Sequence, residues 1–179
     1  GVQNSNNAGL WINRGAGVEL LVREEQDAPG TTSRFVSLTG PAMNATGQTA
    51  FRATLTGGVN TSNNEGIWTD RGGSIELVAR ENENALDADT RFGAINAPAI
   101  NNRGEILFRS ELQGAGVNAL NHTALWIDRG VEIDLVPRAG AHPARSTPHF
   151  GRIGPRSITP PGELLLPARP SADPLAPFH

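Results

Sequence analysis

Three tryptophans, Trp11, Trp68 and Trp126, stand 57 and 58 residues apart, and the residues around one recur around the other two. An Arg-Gly pair follows each, at Arg14-Gly15, Arg71-Gly72 and Arg129-Gly130. A carboxylate lies five residues past each Arg, at Glu19, Glu76 and Asp134; a second Arg comes four further on, at Arg23, Arg80 and Arg138. Phe35, Phe92 and Phe150 follow twelve residues later, and Gly47, Gly104 and Gly162 twelve after those. Agreement at this many fixed offsets is not chance. A repeated supersecondary unit cannot bury its apolar face alone, so neighbouring units must complete each other's core.

Each unit reads as four short strands. The first is Gly9–Asn13, repeated as Gly66–Thr69 and Ala124–Ile127; the second is Val18–Arg23, repeated as Ile75–Arg80 and Ile133–Arg138. Arg-Gly between them suits a tight hairpin, because Gly tolerates positive φ. A third strand from about Phe35 to Asn44 and a fourth over Gln48–Leu55 flank an Asn-x-x-Gly turn. Val, Ile, Leu, Phe and Thr fill the strands while Gly, Asn and Pro fill the gaps. No window sustains a period of 3.6 residues, so helix is not expected. The expectation is an all-β, propeller-like array of three four-stranded antiparallel repeats, about 8–64, 65–122 and 123–170, with a Pro-rich tail over 171–179. A β-sandwich and a β-solenoid remain as alternatives.

The turns carry a resemblance. Asn44-Ala-Thr-Gly47-Gln-Thr-Ala50-Phe51 resembles the NxxGxxAF motif of bacterial secreted or surface tandem-repeat proteins. Asn101-Asn-Arg-Gly104-Glu-Ile-Leu107-Phe108 keeps it with Leu for Ala, and Thr159-Pro-Pro-Gly162-Glu-Leu-Leu165-Leu166 keeps only the Gly. The resemblance implies a β-propeller-like repeat fold and a secreted or cell-surface bacterial location; it implies no activity.

Composition removes several functions. A net charge of −3 gives no basic footprint for nucleic acid. There is no cysteine, hence no disulfide framework and no thiolate metal site. No apolar run reaches the roughly 18 residues that mark a membrane-spanning helix. Gly1–Asn7 (GVQNSNN) echoes Gly58–Asn64 (GVNTSNN), so the chain reads as though cut from a longer array. Nine of 13 prolines lie at or after Pro143, and Pro167 and Pro170 fall in the expected last strand, where each removes a ladder donor.

Candidate site residues follow from what recurs. Arg14, Glu19 and Arg23, with Arg71, Glu76, Arg80 and Arg129, Asp134, Arg138, read as a structural polar set, since an enzyme does not need one catalytic pair three times. Glu76 and Arg80 should then be partly buried and hydrogen-bonded. Trp11, Trp68 and Trp126 sit in the most apolar strand and read as core anchors, or as stacking platforms for sugars. The acidic loops 24–27 and 81–89 offer oxygen ligands of the kind Ca²⁺ takes, without an EF-hand pattern. The histidines show no metal spacing, and no nucleophile elbow or phosphate loop is present. The chain therefore reads as a non-enzymatic structural or interaction module without a cofactor; a carbohydrate-binding repeat lectin is the alternative. Its partner is another protein or a second copy of itself. If a blade runs from the Phe35 strand to Arg80, the chain opens and closes on half-blades, which predicts a six-bladed ring of two chains, or an open array.

Overall fold

The computed structural model describes residues 3, 6–87, 89–136, 158–159 and 163–164. Among these there is no helix. Strands β1 (Gly9–Asn13) and β2 (Val18–Arg23) form a two-stranded sheet. β3 (Arg34–Met43), β4 (Thr49–Thr56), β5 (Glu65–Thr69) and β6 (Glu76–Arg80) form a four-stranded sheet in that order. β7 (Asn84–Asp87), β8 (Thr90–Ile95), β9 (Ala99–Ile100), β10 (Ile106–Gly114), β11 (Thr123–Asp128) and β12 (Ile133–Val136) form a sheet in the order β12-β11-β10-β8-β7, with β9 also on β10. β13 (Ile158–Thr159) and β14 (Glu163–Leu164) pair by themselves. Every pairing is antiparallel.

The all-β expectation holds, and the four-strand unit needs correction in the sheet built on β10. Part of the acidic loop at 81–89 is itself a strand, β7, paired to β8. The expected third strand there is broken into β8 and β9 around Pro98, which has no N–H for the ladder. Pro41 stands at the same place in β3, and there the strand survives with a register shift between Thr39 and Ala42. The end of the predicted strand Ile133–Arg138, the residue Phe150 and the tail 171–179 lie outside the described residues.

Turn chemistry sets the hairpins. Asn44 accepts the Gly47 N–H on its carbonyl at 3.1 Å and donates its own N–H to the Gln48 carbonyl at 3.0 Å. Gly47, at φ 85°, is the left-handed residue that this three-residue loop requires. Asn101 and Gly104 repeat the turn, with Gly104 at φ 79°. The three hairpins share one register: Met43 pairs with Thr49, Ile100 with Ile106 and Ile158 with Leu164.

Next to each complete hairpin comes a tryptophan strand. Phe51 faces Trp68 across β4 and β5, and Phe108 faces Trp126 across β10 and β11. The first-strand phenylalanine meets the indole edge-on, Phe35 at 5.0 Å from Trp68 and Phe92 at 5.1 Å from Trp126 between ring centroids. Such pairs add about 0.5–1.5 kcal/mol beyond area burial. Gly66 allows the Trp68 ring to lie over β5: a Cβ there would meet ring carbons at 2.7 Å.

Cores lie on both faces of the four-stranded sheet. On one side Phe35, Phe51 and Trp68 pack with Val22, Leu10 and Leu21 of the β1–β2 sheet. On the other, Ala50, Ile67 and Ala79 pack with Phe92, Ile106, Phe108 and Trp126 of the sheet built on β10. That sheet buries Leu107, Leu125 and Ile127 on its own far side. Sheets and sequence repeats are out of phase. The sheet β3–β6 draws its first two strands from one repeat and its last two from the next.

Candidate functional site

Between consecutive sheets the polar contacts recur. Arg14, in the turn after β1, pairs with Glu19 across its own hairpin and with Asp70 of the next sheet. Its Nε donates to the Gly47 carbonyl at 2.9 Å. Arg71 repeats this one unit on, 3.2 Å from Glu76, 2.7 Å from Asp128, and donating to the Gly104 carbonyl at 3.3 Å. The Arg71–Asp128 contact is close but poorly directed: Asp128 Oδ2 is buried and accepts no aligned hydrogen bond among the described residues. Arg129 pairs with Asp134 in its hairpin and lies 3.5 Å from Glu105. Arg14 and Arg71 thus each tie their hairpin to the next sheet, and the arrangement works as a joint; both partners of Arg129 belong to its own sheet.

The second contact, at the joint between the β3–β6 sheet and the sheet built on β10, is an asparagine. Asn44 is buried, and its side-chain oxygen accepts the N–H groups of Thr46 and Gln48 at 3.1 and 2.9 Å. Its amide nitrogen donates across the sheets to the Asn101 carbonyl at 2.7 Å. The Asn102 side chain returns the contact, accepting the Ala45 N–H at 2.9 Å. Asn101 caps its own turn in the same way, through the N–H groups of Arg103 and Glu105, each at 3.0 Å.

The predicted polar set therefore divides. Arg14–Glu19, Arg71–Glu76 and Arg129–Asp134 are real pairs across one turn. Arg23 and Arg80 do not join them. Among the described residues Arg23 makes no ion pair, while Arg80 lies 3.6 Å from Glu83. Glu76 accepts a hydrogen bond from Arg71 Nε at 3.2 Å, and its side chain is 47% exposed. The turn lifts it over the polar cleft of about 480 Å³ that Arg71, Asp128 and Glu132 line. Arg138 lies outside the described residues. The buried acceptors Asp70 and Asp128, two residues past each tryptophan, escaped sequence reasoning; Asn13 at the same offset from Trp11 hid the pattern.

The acidic loops are used internally. Asp27 and Glu25 face Arg34 at 3.3 and 3.7 Å, and Glu81 accepts the Glu65 N–H at 3.0 Å. Burial raises the Glu81 carboxyl above the usual range, against the opposing pull of that N–H, and burial likewise raises Glu83 against Arg80. Among the described residues no group of three carboxylate or histidine side chains converges as a metal site. No helix among them is long and apolar enough to cross a membrane, which says nothing of strands.

The tryptophans separate most sharply. Trp68 and Trp126 are both 0% exposed, their indole N–H groups donating to the Pro29 carbonyl at 3.0 Å and to Ser110 Oγ at 2.9 Å. Neither can be a stacking platform. Trp11 is 65% exposed. Among the described residues β1 pairs with β2 alone, so none of them gives Trp11 the Phe-bearing strands that cover the other two. Beside it runs an apolar groove of about 250 Å³, formed by Leu10, Trp11 and Ile12 of β1 with Met43, Thr49 and Phe51 of the next sheet. Met43 in its lining is 55% exposed.

These features define an all-β protein of antiparallel sheets joined by arginine and asparagine contacts, with one unfinished apolar edge. The chain belongs to a family of unknown function, DUF7453, whose model matches residues 1–163. No curated protein and no solved structure matches it.

Proposed function

We propose that this chain is a non-enzymatic structural and interaction module, a propeller-like array from an exported or cell-surface bacterial protein, that engages protein by strand addition at β1. One observation carries the reading: Trp11 is 65% exposed where its two counterparts are 0% exposed. An edge strand presents unpaired N–H and C=O groups as a template for another strand. Here the template is flanked by an aromatic side chain and an apolar groove, so backbone pairing and side-chain burial act together. The recurring Arg14 and Arg71 serve the joints between sheets, and their carboxylate partners are held by arginine rather than facing each other as a hydrolytic pair. Of the three tryptophans, Trp11 alone is left for sugar stacking.

The test uses a synthetic peptide of residues 34–56, the hairpin that carries Phe35 and Phe51. Titrated against the full chain, it should shift the emission of Trp11 to shorter wavelength and protect it from acrylamide. The Trp11→Ala variant should show neither change. No response up to millimolar peptide, or a Trp11-dependent response to a glycan array instead, would defeat the proposal.

A further inference from the structure

The joint made by Arg71 has an internal control, because the joint made by Arg14 is built from the same positions one repeat earlier. At that first joint both carboxylate oxygens of Asp70 are used: Oδ1 accepts the Thr49 N–H at 2.6 Å, and Oδ2 accepts Arg14. Asp128 holds the equivalent place at the second joint. Its Oδ1 accepts the Gly130 N–H at 2.8 Å, but its Oδ2 is buried and accepts no aligned hydrogen bond from a described residue. Arg71 Nη2 lies 2.7 Å from that oxygen, off the direction of its N–H groups. The rest of the guanidinium is engaged elsewhere, Nε with Glu76 at 3.2 Å and Nη1 with the Gly104 carbonyl at 3.3 Å. Buried acceptors in folded proteins almost always have a donor, so this oxygen calls for one.

Asp128 lines the polar cleft of about 480 Å³ together with Glu76 and Glu132. Three carboxylates there face one guanidinium, that of Arg71, and the cleft carries an excess of negative charge. The Asp128 side chain is buried, that of Glu76 is half-exposed, and Glu132 is exposed, so the acceptor lies inside and the other two stand at the rim. Glu132 is particular to this joint, since Ser74 holds its place in the first. Leu77, Val78, Val131 and Ile133 give the same cleft aliphatic walls.

We infer that this cleft binds an alkylammonium group, carried by a lysine side chain of another protein or by a free alkylamine. The N–H donors of an ammonium rotate, so one can point at Asp128 Oδ2 while another meets a rim carboxylate. Its charge answers the excess of carboxylates. Its methylene stem lies along the aliphatic walls while the head stays among polar groups. A metal ion is not served, because among the described residues no three carboxylate or histidine side chains converge. The 15 residues counted as Lys and Arg are all arginine, so no side chain of a second copy of this chain supplies the ammonium. The cleft is separate from the groove beside Trp11, and binding there is independent of strand addition at β1.

The probes are pentylamine and Nα-acetyl-lysine methylamide, with the Nε-acetylated lysine derivative as the uncharged control. Followed by amide NMR on the full chain, both amines should give saturable shifts at Val131 and Glu132. Gly73 and Ser74, the same turn at the first joint, should not move. The tighter binder names the source: the lysine derivative a protein side chain, pentylamine a free amine. Asp128→Asn should abolish the saturable shift. That residue also holds the joint, so Glu132→Ser, at the surface, is the second variant and should weaken binding several-fold with the rest of the spectrum unchanged. Ser74→Glu gives the first joint the rim charge without the open acceptor, and it should create no second site. The inference is overturned by the absence of a saturable shift, by equal shifts from the acetylated control, by unchanged binding in Glu132→Ser and Asp128→Asn, or by a second site of equal affinity in Ser74→Glu.

Discussion

Asn44→Asp changes one atom at the centre of the joint between the two complete sheets. The side-chain oxygen that accepts the Thr46 and Gln48 N–H groups keeps its role. The nitrogen becomes an oxygen, 2.7 Å from the Asn101 carbonyl and 2.8 Å from Gln48 Oε1, both acceptors. Two hydrogen bonds are lost, each worth about 0.5–1.5 kcal/mol net. A charge is also placed in a buried site without a cation against it, which adds a few kcal/mol or forces protonation. The deficit at pH 7 should be about 3 kcal/mol or more. Protonated, the new aspartate can donate to Asn101 again. Its folded pKa is therefore raised above the unfolded value of about 3.9. The stability it contributes is present below that unfolded value and is lost as pH rises through the raised folded pKa. Urea melts from pH 4 to 8 should show the deficit growing with pH. Asn44→Ala, which strands the Thr46 and Gln48 N–H groups instead, should lose about 2–3 kcal/mol at every pH. An Asp variant within about 1 kcal/mol of the parent at pH 7, or a deficit that does not move with pH, would refute the role given to the Asn44 amide.

Ser110→Ala leaves the buried Trp126 indole N–H without its acceptor and should cost about 1–3 kcal/mol by denaturant melt; a loss under about 0.5 kcal/mol counts against that bond. Arg71→Met removes the partner of buried Asp128 and should cost about 3 kcal/mol. Glu76→Gln, at the half-exposed end of the same side chain, should cost under about 1 kcal/mol; the reverse order would mean the hairpin pair, not the inter-sheet contact, holds the joint. Glu81→Gln should raise the melting temperature at pH 7, because burial disfavours the Glu81 charge. The stability linked to its raised pKa is present at acid pH and lost as pH rises, so the advantage of the amide variant should shrink below pH 4.5, the ordinary value for this group. An advantage that persists or grows in acid would rule that origin out.

The repeat offsets, read alone, determine the all-β class, the Asn-x-x-Gly and Arg-Gly turns, and the strand boundaries of the first repeat to within a residue or so. The reason is local: a left-handed turn position needs Gly, and alternation of apolar residues with β-branched neighbours marks a strand whatever it packs against. Arg14–Glu19 and its two counterparts were legible for the same reason, both partners lying on one turn. Three things needed the tertiary structure. Asp70 and Asp128 became partners of Arg14 and Arg71 only when sheets from different repeats were laid together, a contact about 57 residues long that no local spacing reports. β7 arose in a loop that reads as solvated and acidic, because β8 offered its outer edge a ladder to join. And three tryptophans that are equivalent in sequence divide into two core anchors and one exposed ring, since burial belongs to the neighbours that a strand finds and not to the residue that it carries.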